Sequence, residues 1–270
     1  MVENLSRHTA LITGGSSGIG LAVAHACARR KMKVILVALP GPELEETVRG
    51  LASEYGIAVY SLGIDLMEAN APRRVFEWCR DRDLVVSLLV NNAGLAGAVR
   101  FDESSPEYSD ARILLNVRAL VLLTRHFLPS MKKLREAFIL NIGSLAGFYS
   151  IPFKSVYSAS KAFVITFSRA LDEELKHTAV QVKVLCPNGV RTNRGTHSRI
   201  DSHGLKARIT IVPAEKLADF ALKRLFRKRT VIIPGFANRI LMMIGRLTPF
   251  PLKQRMLYSE FRKELKDRSG

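Results

Sequence analysis

The chain has few cysteines, and they are not arranged as a disulfide framework or a zinc site would require. Cys27, Cys79 and Cys186 are odd in number, and no two of them form a CxxC pair. No apolar run approaches the roughly 18 to 20 residues that a membrane span needs. Low-complexity sequence is scarce and charged residues make up 24% of the chain, which excludes a disordered protein. We therefore expect a globular protein without a metal site, either soluble or attached peripherally to a membrane.

Acidic residues are scarce relative to basic ones. Forty-one Lys and Arg against 24 Asp and Glu give a net charge of +17, so nucleic acid, anionic lipid and phosphorylated ligands must be weighed as partners. Residues 223–270 hold thirteen of the basic side chains but only three of the acidic ones. Nucleic acid is disfavoured because no aromatic platform or recognised binding motif accompanies this charge. The N-terminus lacks a long apolar segment after a basic start, so we expect a cytoplasmic chain that begins at Met1.

Short apolar runs alternate with helical patterns, as in repeated βα units around a parallel sheet buried on both faces. The predicted strands are residues 9–13, 33–38, 58–63, 86–90, 138–142, 180–185 and 231–233. The predicted helices are residues 19–30, 43–55, 71–80, 106–128, 156–176 and 214–226. This order predicts a doubly wound (Rossmann) α/β fold with a seven-stranded parallel sheet and a ligand at the carboxyl ends of the strands. We assign residues 1–235 to a catalytic domain and residues 236–270 to a basic amphipathic C-terminal extension.

A long connection, residues 190–212, is rich in Arg, His, Ser and Gly. Connections of this length inside a compact domain often serve as lids over a site. We interpret it as a mobile lid, with a merely solvated loop as the alternative.

A glycine-rich turn follows the first predicted strand and precedes the first predicted helix. Glycine permits positive φ and close approach of the backbone to a ligand, while the amides of a helix N-terminus attract phosphate. In this context the turn predicts a pyrophosphate site, although the spacing is not GxGxxG and such a turn can be only a tight turn. The residues of the turn are Gly14, Ser16, Ser17, Gly18, Ile19 and Gly20. At the ends of the third and fourth strands, Asp65 and the sequence Asn92-Ala93-Gly94 would form the floor of the same crevice.

The second predicted strand ends without an acidic residue. An acidic side chain at this position hydrogen-bonds the ribose 2′-hydroxyl of NAD and repels the 2′-phosphate of NADP. Here the strand ends in Ala38 and Leu39, so a 2′-phosphate would not be repelled, although no guanidinium is offered to it. The sequence therefore favours NADP(H) as the cofactor and leaves NAD(H) open.

Three polar residues follow the fifth predicted strand. Ser144 comes just after the strand, and Tyr157 and Lys161 are four residues apart on the next helix, so they share a face. An ammonium group near a phenol favours the phenolate, which predicts that the pKa of Tyr157 is lowered toward working pH. A YxxxK pair alone is frequent by chance. The position of Ser144 at the ligand edge is what favours an acid–base site.

Taken together, these motifs resemble the short-chain dehydrogenase/reductase family in its single-domain form. The matching positions, in order over residues 5–235, are Thr13-Gly14-x-x-x-Gly18-Ile19-Gly20, Asn91-Asn92-Ala93-Gly94, Asn116, Ser144, Tyr157-x-x-x-Lys161 and residues 187–192. The resemblance implies that Tyr157 exchanges a proton with the carbonyl or alcohol oxygen and that Ser144 hydrogen-bonds that oxygen. It implies that Lys161 binds the nicotinamide ribose and lowers the pKa of Tyr157, and that Asn116 holds a water of the proton relay.

The resemblance also places the pyrophosphate on the glycine-rich turn, the adenine beside Asp65 and Leu66, and the carboxamide near Val190 and Thr192. The family usually reads Pro-Gly after the sixth strand, whereas this chain reads Pro187-Asn188-Gly189. Because Asn tolerates a left-handed backbone, we expect the turn to persist and the nicotinamide pocket to be reshaped.

All four catalytic positions are filled, so the resemblance implies an active NAD(P)(H)-dependent oxidoreductase. We expect it to reduce a ketone, or oxidise a secondary alcohol, on an apolar substrate such as a steroid, a lipid-derived ketone or a 3-oxoacyl thioester. Members of the family commonly pair their long helices, so the resemblance also implies a homo-oligomer, a dimer or a tetramer.

Apolar residues recur at helical spacing in the C-terminal extension. Ile240, Met243, Ile244 and Leu247 share a face, Pro249-Phe250-Pro251 then breaks the pattern, and a second basic amphipathic stretch follows. Two such helices are typical of an interfacial membrane anchor, but they would equally close the substrate pocket or a subunit interface. Two other functions stay open: a nucleotide-sensing protein that binds a membrane or partner without turnover, and an enzyme whose basic surface docks an acidic acyl carrier.

Overall fold

The computed structural model describes residues 5–188, 190–191 and 212–269. Its strands are β1 (Thr9–Thr13), β2 (Lys33–Ala38), β3 (Val59–Gly63), β4 (Leu88–Asn91), β5 (Ala137–Ile142), β6 (Val180–Leu185), β7 (Val190–Arg191), β8 (Val212–Pro213) and β9 (Val231–Ile232). Its helices are α1 (Gly18–Arg29), α2 (Pro42–Tyr55), α3 (Ala71–Arg80), α4 (Pro106–Ile113), α5 (Leu120–Met131), α6 (Ser155–Glu174), α7 (Ala214–Arg224), α8 (Phe236–Leu247) and α9 (Phe250–Ser269). A π-helical segment, Leu114–Ala119, joins α4 to α5.

Seven strands form one parallel sheet in the order β3-β2-β1-β4-β5-β6-β9, and β7 pairs separately with β8. Every residue of β1, β4 and β5 is buried, because helices cover both faces and a parallel sheet then reads as a continuous apolar run. The strand order reverses between β1 and β4, and ligands of doubly wound sheets bind at the carboxyl ends of the strands at this switch point. The predicted α/β fold is confirmed.

Most predicted elements agree with the structure. Strands 9–13, 33–38 and 180–185 and helix 71–80 match residue for residue, and all but one of the others lie within two residues at each end. The exception is the helix predicted over residues 106–128, which consists of α4, the π-helical segment and α5 and ends at Met131. The apolar pattern that predicts a helix does not reveal the wider turn of a π segment.

Two helices follow the sheet, as the C-terminal pattern predicts, although the second is longer than a short amphipathic helix. Thr248 and Pro249 separate α8 from α9. Within the described part of the chain, no helix combines the length and apolarity needed to cross a bilayer.

Candidate active site

The turn between β1 and α1 forms a cradle lined by backbone. Gly14 and Gly18 have positive φ angles of 61° and 56°, which favour glycine. A Cβ atom on Gly20 would lie 2.1 Å from the carbonyl oxygen of Gly14 and 2.5 Å from Nδ2 of Asn92. The two backbone segments therefore approach each other too closely for any larger residue at position 20.

The first turn of α1 offers its amides to an anion. Ser17 precedes the helix in an extended conformation, and its side chain makes no capping hydrogen bond. Ser16, Ser17, Gly18 and Ile19 are half-buried. Amides of a first helical turn have no acceptor within the helix and carry the positive end of its dipole, so this end of α1 suits a phosphate group.

Thr13 joins the cradle to the floor of the crevice. Its hydroxyl oxygen accepts hydrogen bonds from the backbone N–H groups of Asn92 (2.9 Å) and Ala93 (3.0 Å). The Asn92 amide in turn donates to the carbonyl oxygens of Thr13 (2.8 Å) and Gly14 (3.1 Å). These bonds fix the ends of β1 and β4 at the switch point. Sequence reasoning missed this part played by Thr13, although its place directly before Gly14 was a usable signal.

The far end of the crevice is framed by the ends of β2 and β3. Asp65 Oδ1 accepts a hydrogen bond from the N–H of Met67 at 2.9 Å. The side chain of Leu66 is buried in the core, so only its backbone can face a ligand. Ala38 is buried, whereas Leu39 is 63% exposed. No acidic side chain occurs in residues 38–42, where β2 ends.

Ser144 and Tyr157 lie together beyond the end of β5. Tyr157 is in the first turn of α6, and Ser144 precedes a short 3-10 turn, Leu145–Phe148, whose Ala146 N–H donates to its hydroxyl at 3.1 Å. The two hydroxyl groups are hydrogen-bonded, and both residues are half-buried. A substrate oxygen next to this pair would be within reach of both hydroxyls.

The predicted lowering of the Tyr157 pKa is wrong. Burial raises the pKa of Tyr157, and the hydrogen bond with Ser144 opposes this shift without reversing it. The Nζ atom of Lys161 is 5.9 Å from the centre of the Tyr157 ring, and burial lowers the pKa of Lys161 to about 8. Helical spacing places Tyr157 and Lys161 on one face of the helix, but it does not reveal that both are buried. Burial disfavours the phenolate and the ammonium alike. Tyr157 therefore holds its proton at neutral pH.

Lys161 and Asn116 meet across Gly94. Lys161 is buried and donates to the carbonyl oxygen of Ile142 at 2.8 Å. Asn116 lies in the π-helical segment, accepts from the N–H of Leu95 at 2.7 Å and donates to the carbonyl of the same residue at 3.0 Å. A Cβ atom on Gly94 would lie 2.9 Å from Oδ1 of Asn116 and 3.6 Å from Nζ of Lys161. The structure thus brings these two predicted catalytic residues together behind the loop that follows β4.

A sequence profile of the short chain dehydrogenase family matches residues 8–202. The chain belongs to the short-chain dehydrogenase family. It is therefore an oxidoreductase with the doubly wound fold described above.

Relatives of this short-chain dehydrogenase cover nearly its whole length. It is 31% identical over 241 residues to an NADP-dependent 3-hydroxy acid dehydrogenase of Schizosaccharomyces pombe, which covers 86% of this chain and 92% of that protein. It is 29% identical over 255 residues to ketoacyl reductase HetN of Nostoc sp., covering 92% and 88%. A solved short-chain dehydrogenase from Sphingobium yanoikuyae, in complex with NADPH, matches with a TM-score of 0.75 and 32% identity over 88% of this chain and 93% of that one.

The crevice of this short-chain dehydrogenase fits a nicotinamide nucleotide. The cradle that a Cβ on Gly20 would fill, together with the uncapped first turn of α1, has the shape and polarity for a pyrophosphate. The floor residues Asn92, Ala93 and Gly94 continue from the cradle to Lys161 and Tyr157. The cradle and the floor residues are therefore contiguous as far as Lys161.

The turn after β6 holds the residues predicted to contact the nicotinamide. Pro187 is buried, and its carbonyl accepts from the N–H of Leu145 at 2.8 Å. Cys186 lies just before it, next to the backbone of Ser144, and burial raises the pKa of its thiol to about 12. Val190 is half-buried in the β7–β8 pair. Thr192 and most of the predicted lid, residues 192–211, lie outside the described residues.

The C-terminal helices of this short-chain dehydrogenase pack on residues 149–154, between Ser144 and Tyr157 in the chain. The Tyr149 hydroxyl donates to the carbonyl of Leu241 at 3.4 Å, and the Gln254 amide donates to the carbonyl of Ser150 at 3.0 Å. Further contacts join Phe153 to Tyr258, with ring centres 5.3 Å apart, and Asn188 to Asn238, at 3.4 Å. The extension therefore packs against the segment that links Ser144 to Tyr157.

Proposed function

We propose that the chain is an NADPH-preferring carbonyl reductase, or the reverse secondary-alcohol dehydrogenase, acting on an apolar substrate such as a steroid, a lipid-derived ketone or a 3-oxoacyl thioester. The observation that carries the proposal is the meeting of Ser144, Tyr157, Lys161 and Asn116 beside the nucleotide cradle. The similarity to an NADP-dependent 3-hydroxy acid dehydrogenase and a ketoacyl reductase supports the substrate class.

In this mechanism Tyr157 is the general acid of reduction. The bound nicotinamide nucleotide supplies the hydride. Burial raises the pKa of Tyr157, so the phenol is protonated at neutral pH and can donate to the carbonyl oxygen as negative charge develops there. Ser144 donates a hydrogen bond to the same oxygen and stabilises that charge.

Lys161 and Asn116 complete the proposed site. Lys161 would bind the nicotinamide ribose. Because its pKa lies at about 8, its ammonium is also a suitable source of the proton that Tyr157 gives up. Asn116 holds the loop after β4 through both hydrogen bonds to Leu95, and its Nδ2 also donates to Ser160 Oγ. Its Oδ1, which has a second lone pair, would accept a hydrogen bond from the water that continues the proton relay.

The preference for NADPH is supported by the end of β2. Residues 38–42 place no carboxylate there, and a 2′-phosphate meets no like charge from this strand end. The proposed binding set is Gly14, Ser16, Ser17, Gly18, Ile19, Gly20, Ala38, Leu39, Asp65, Leu66, Asn92, Ala93, Gly94, Tyr157, Lys161, Pro187, Val190 and Thr192.

The test is the oxidation of NADPH and of NADH in the presence of steroid, fatty and thioester ketones. We expect NADPH oxidation with at least one ketone class. Tyr157→Phe should abolish it while the Kd for NADPH stays within about twofold, because the phenol ring is kept. Tyr60→Phe, a tyrosine on β3 away from the site, is the matched control and should turn over normally. Unchanged turnover in Tyr157→Phe would overturn the mechanism, and tight NADPH binding without turnover on the whole panel would favour a nucleotide sensor.

We further propose that the C-terminal helices attach the enzyme to an anionic lipid surface. On α8, Asn238, Met242 and Gly245 face the protein. The opposite side carries an exposed apolar stripe: Phe236, Ile240, Met243, Ile244 and Leu247. Within it Phe236 is 77% exposed and Leu247 is 81% exposed. An apolar stripe on a strongly basic extension is the pattern of interfacial helices on anionic membranes.

Vesicle co-sedimentation tests this attachment. Wild type should bind vesicles that contain an anionic phospholipid more strongly than purely zwitterionic ones. Met243→Glu with Leu247→Glu should abolish binding, whereas Val85→Glu, at an exposed apolar position at the opposite end of the sheet, should not. Equal vesicle binding by wild type and both variants would refute the attachment. If wild type does not bind vesicles, and added salt slows turnover of a substrate linked to an acidic acyl carrier, the basic surface would instead be a docking site for that carrier.

We also propose a homo-oligomer paired through the long helices. Ile113 on α4 is 50% exposed and Phe163 on α6 is 42% exposed, and Phe163 stacks on Phe167 with ring centres 5.9 Å apart. A second copy would bury these surfaces. Light scattering should find a dimer or tetramer for wild type and a smaller species for Phe163→Glu, and a monomeric wild type would refute this.

A further inference from the structure

A buried arginine without an acidic partner lies close to Tyr157. Arg112, in the last turn of α4, is 7% exposed. Its guanidinium donates to the carbonyl oxygens of Tyr108 (2.7 Å) and Ala96 (2.8 Å) and stacks 3.2 Å from the centre of the Tyr108 ring. Its Nε–H is buried with no acceptor, and no ion pair joins Arg112 to any described residue.

This arrangement leaves a buried positive charge only partly compensated. A guanidinium stays protonated at any working pH, and burial disfavours its charge, which lowers the pKa of Arg112. Two carbonyl oxygens and a ring face are weaker partners than a carboxylate. An anion supplied from outside the described residues would complete the set.

Arg112 lines a narrow cleft together with Tyr157. Lys154 also lines the cleft, with its ammonium 4.4 Å from the centre of the Phe261 ring. The rest of the lining is formed by the hydroxyls of Ser104, Tyr108, Ser109 and Ser155 and by the apolar side chains of Val99, Phe101, Phe153 and Val156. No Asp or Glu lines it, and the nearby Asp102 and Glu103 are paired with Arg100. Among the described residues, the hydroxyls of Ser109 and Ser155 make no hydrogen bond.

The loop over this cleft is shaped around Arg112. Gly97 has a φ of 150°, and a Cβ atom there would lie 2.8 Å from Nη2 of Arg112 and 2.5 Å from the Tyr108 hydroxyl. The cavity volume is about 10 Å³, which is room for about one water molecule. A single small polar group fits this space, whereas a ring system does not.

We propose that this cleft, the Arg112 subsite, binds an anionic oxygen group of the substrate while the substrate carbonyl lies at Tyr157. The inference rests on the proposed reductase function and narrows its substrates to ketones that carry a carboxylate, or a phosphate, on a short apolar chain. The guanidinium supplies the charge and the serine hydroxyls supply further donors. The cleft has room for the anionic oxygen alone, so the chain lies outside it.

The experiment compares matched ketones. Oxo fatty acids of several lengths are assayed beside their own methyl esters and beside ketones of equal length that end in a phosphate monoester. The readout is the ratio of kcat/KM for acid to that for ester. In wild type the acid should be favoured by about tenfold or more, as a charge-assisted hydrogen bond allows. A preference confined to the phosphate arm would identify phosphate as the anion.

Variants of Arg112 separate binding from loop packing. Arg112→Gln should bring the acid-to-ester ratio close to one. Arg112→Lys keeps the charge but loses the planar guanidinium, so it should give an intermediate ratio. It replaces Arg112→Gln if that variant fails to fold. Arg118→Gln is the matched control, because Arg118 also holds loop carbonyls, those of residues 67–69, but lies outside the cleft. Its ratio should equal that of wild type.

Thermal melting without nucleotide provides a readout independent of turnover. The oxo acid should raise the Tm of wild type but not of Arg112→Gln, and the ester should raise neither. If no compound is turned over but this shift is present, the reductase function fails and the anion subsite stands. A ratio near one in wild type, or a preference for acid that persists in Arg112→Gln, would overturn the subsite.

Discussion

Replacing Gly20 with alanine tests the nucleotide cradle most directly. The added Cβ would lie 2.1 Å from the carbonyl oxygen of Gly14, whereas Cβ contacts under 3.0 Å essentially do not occur. The backbone of the cradle must therefore move by about 1 Å, and overpacking of this kind costs about 1–3 kcal/mol. Alanine also stabilises a helix by about 1 kcal/mol relative to glycine, which offsets part of the cost of the clash. The reference is therefore a second helical glycine whose added Cβ would meet no other atom.

Gly50 is that control. It is exposed in α2, and a Cβ there would meet nothing within 4 Å. Gly50→Ala should raise the free energy of unfolding by about 1 kcal/mol. The free energy of unfolding of Gly20→Ala should be lower than that of Gly50→Ala by the cost of the clash, about 1–3 kcal/mol. Gly20→Ala should also bind NADPH much more weakly than wild type. Urea unfolding followed by circular dichroism, with NADPH titration by fluorescence, measures both quantities. Equal stability of the two variants with a wild-type Kd for Gly20→Ala would refute the reasoning.

Three further predictions concern titration and hydrogen bonding. Burial lowers the pKa of Lys161 from 10.5 to about 8, so between these pH values the side chain is protonated in the unfolded chain and neutral in the folded one. The free energy of unfolding of wild type should therefore rise relative to that of Lys161→Met as the pH increases through this range. Burial lowers the pKa of His8 below 6.5, so wild type should lose more stability than His8→Gln on acidification from pH 7.5 to 5.5, in urea titrations. Thr13→Val should cost about 1–3 kcal/mol because two N–H groups lose their acceptor, whereas Thr13→Ser should lose less than half of that.

Each of these predictions has a contradicting result. Parallel pH profiles for wild type and Lys161→Met, or for wild type and His8→Gln, would show that burial of the group does not shift its titration. Equal stability of Thr13→Val and Thr13→Ser would show that the hydroxyl does not hold the ends of β1 and β4 together.

The sequence predicts the sheet better than it predicts the chemistry of the site. The short apolar run Thr9–Thr13 is buried throughout, and its pattern predicts the strand residue for residue. The order of the motifs likewise brings Ser144, Tyr157 and Lys161 to one sheet edge.

What the pattern could not supply depends on burial and on contacts distant in sequence. The pKa of Tyr157 rises instead of falling because burial disfavours the phenolate. The Asn116 amide bonds Leu95, 21 residues away, which no local pattern encodes. Arg112 belongs to no sequence motif, and only the fold reveals that it is buried.

The π-helical segment Leu114–Ala119 makes the site depend on residue count as well as residue type. A π turn accommodates one residue more than an α turn, so α4 and α5 keep about the relative rotation of a continuous helix although an extra residue lies between them. Deleting a single residue within the segment would restore a regular helix with α5 near its present orientation. Deleting a residue at the start of α5 would instead rotate the rest of that helix by about 100° and move Thr124, bonded to Asn91, and the buried Phe127 from their partners. Alignments and designs should therefore place a change of length within this segment and not in α5.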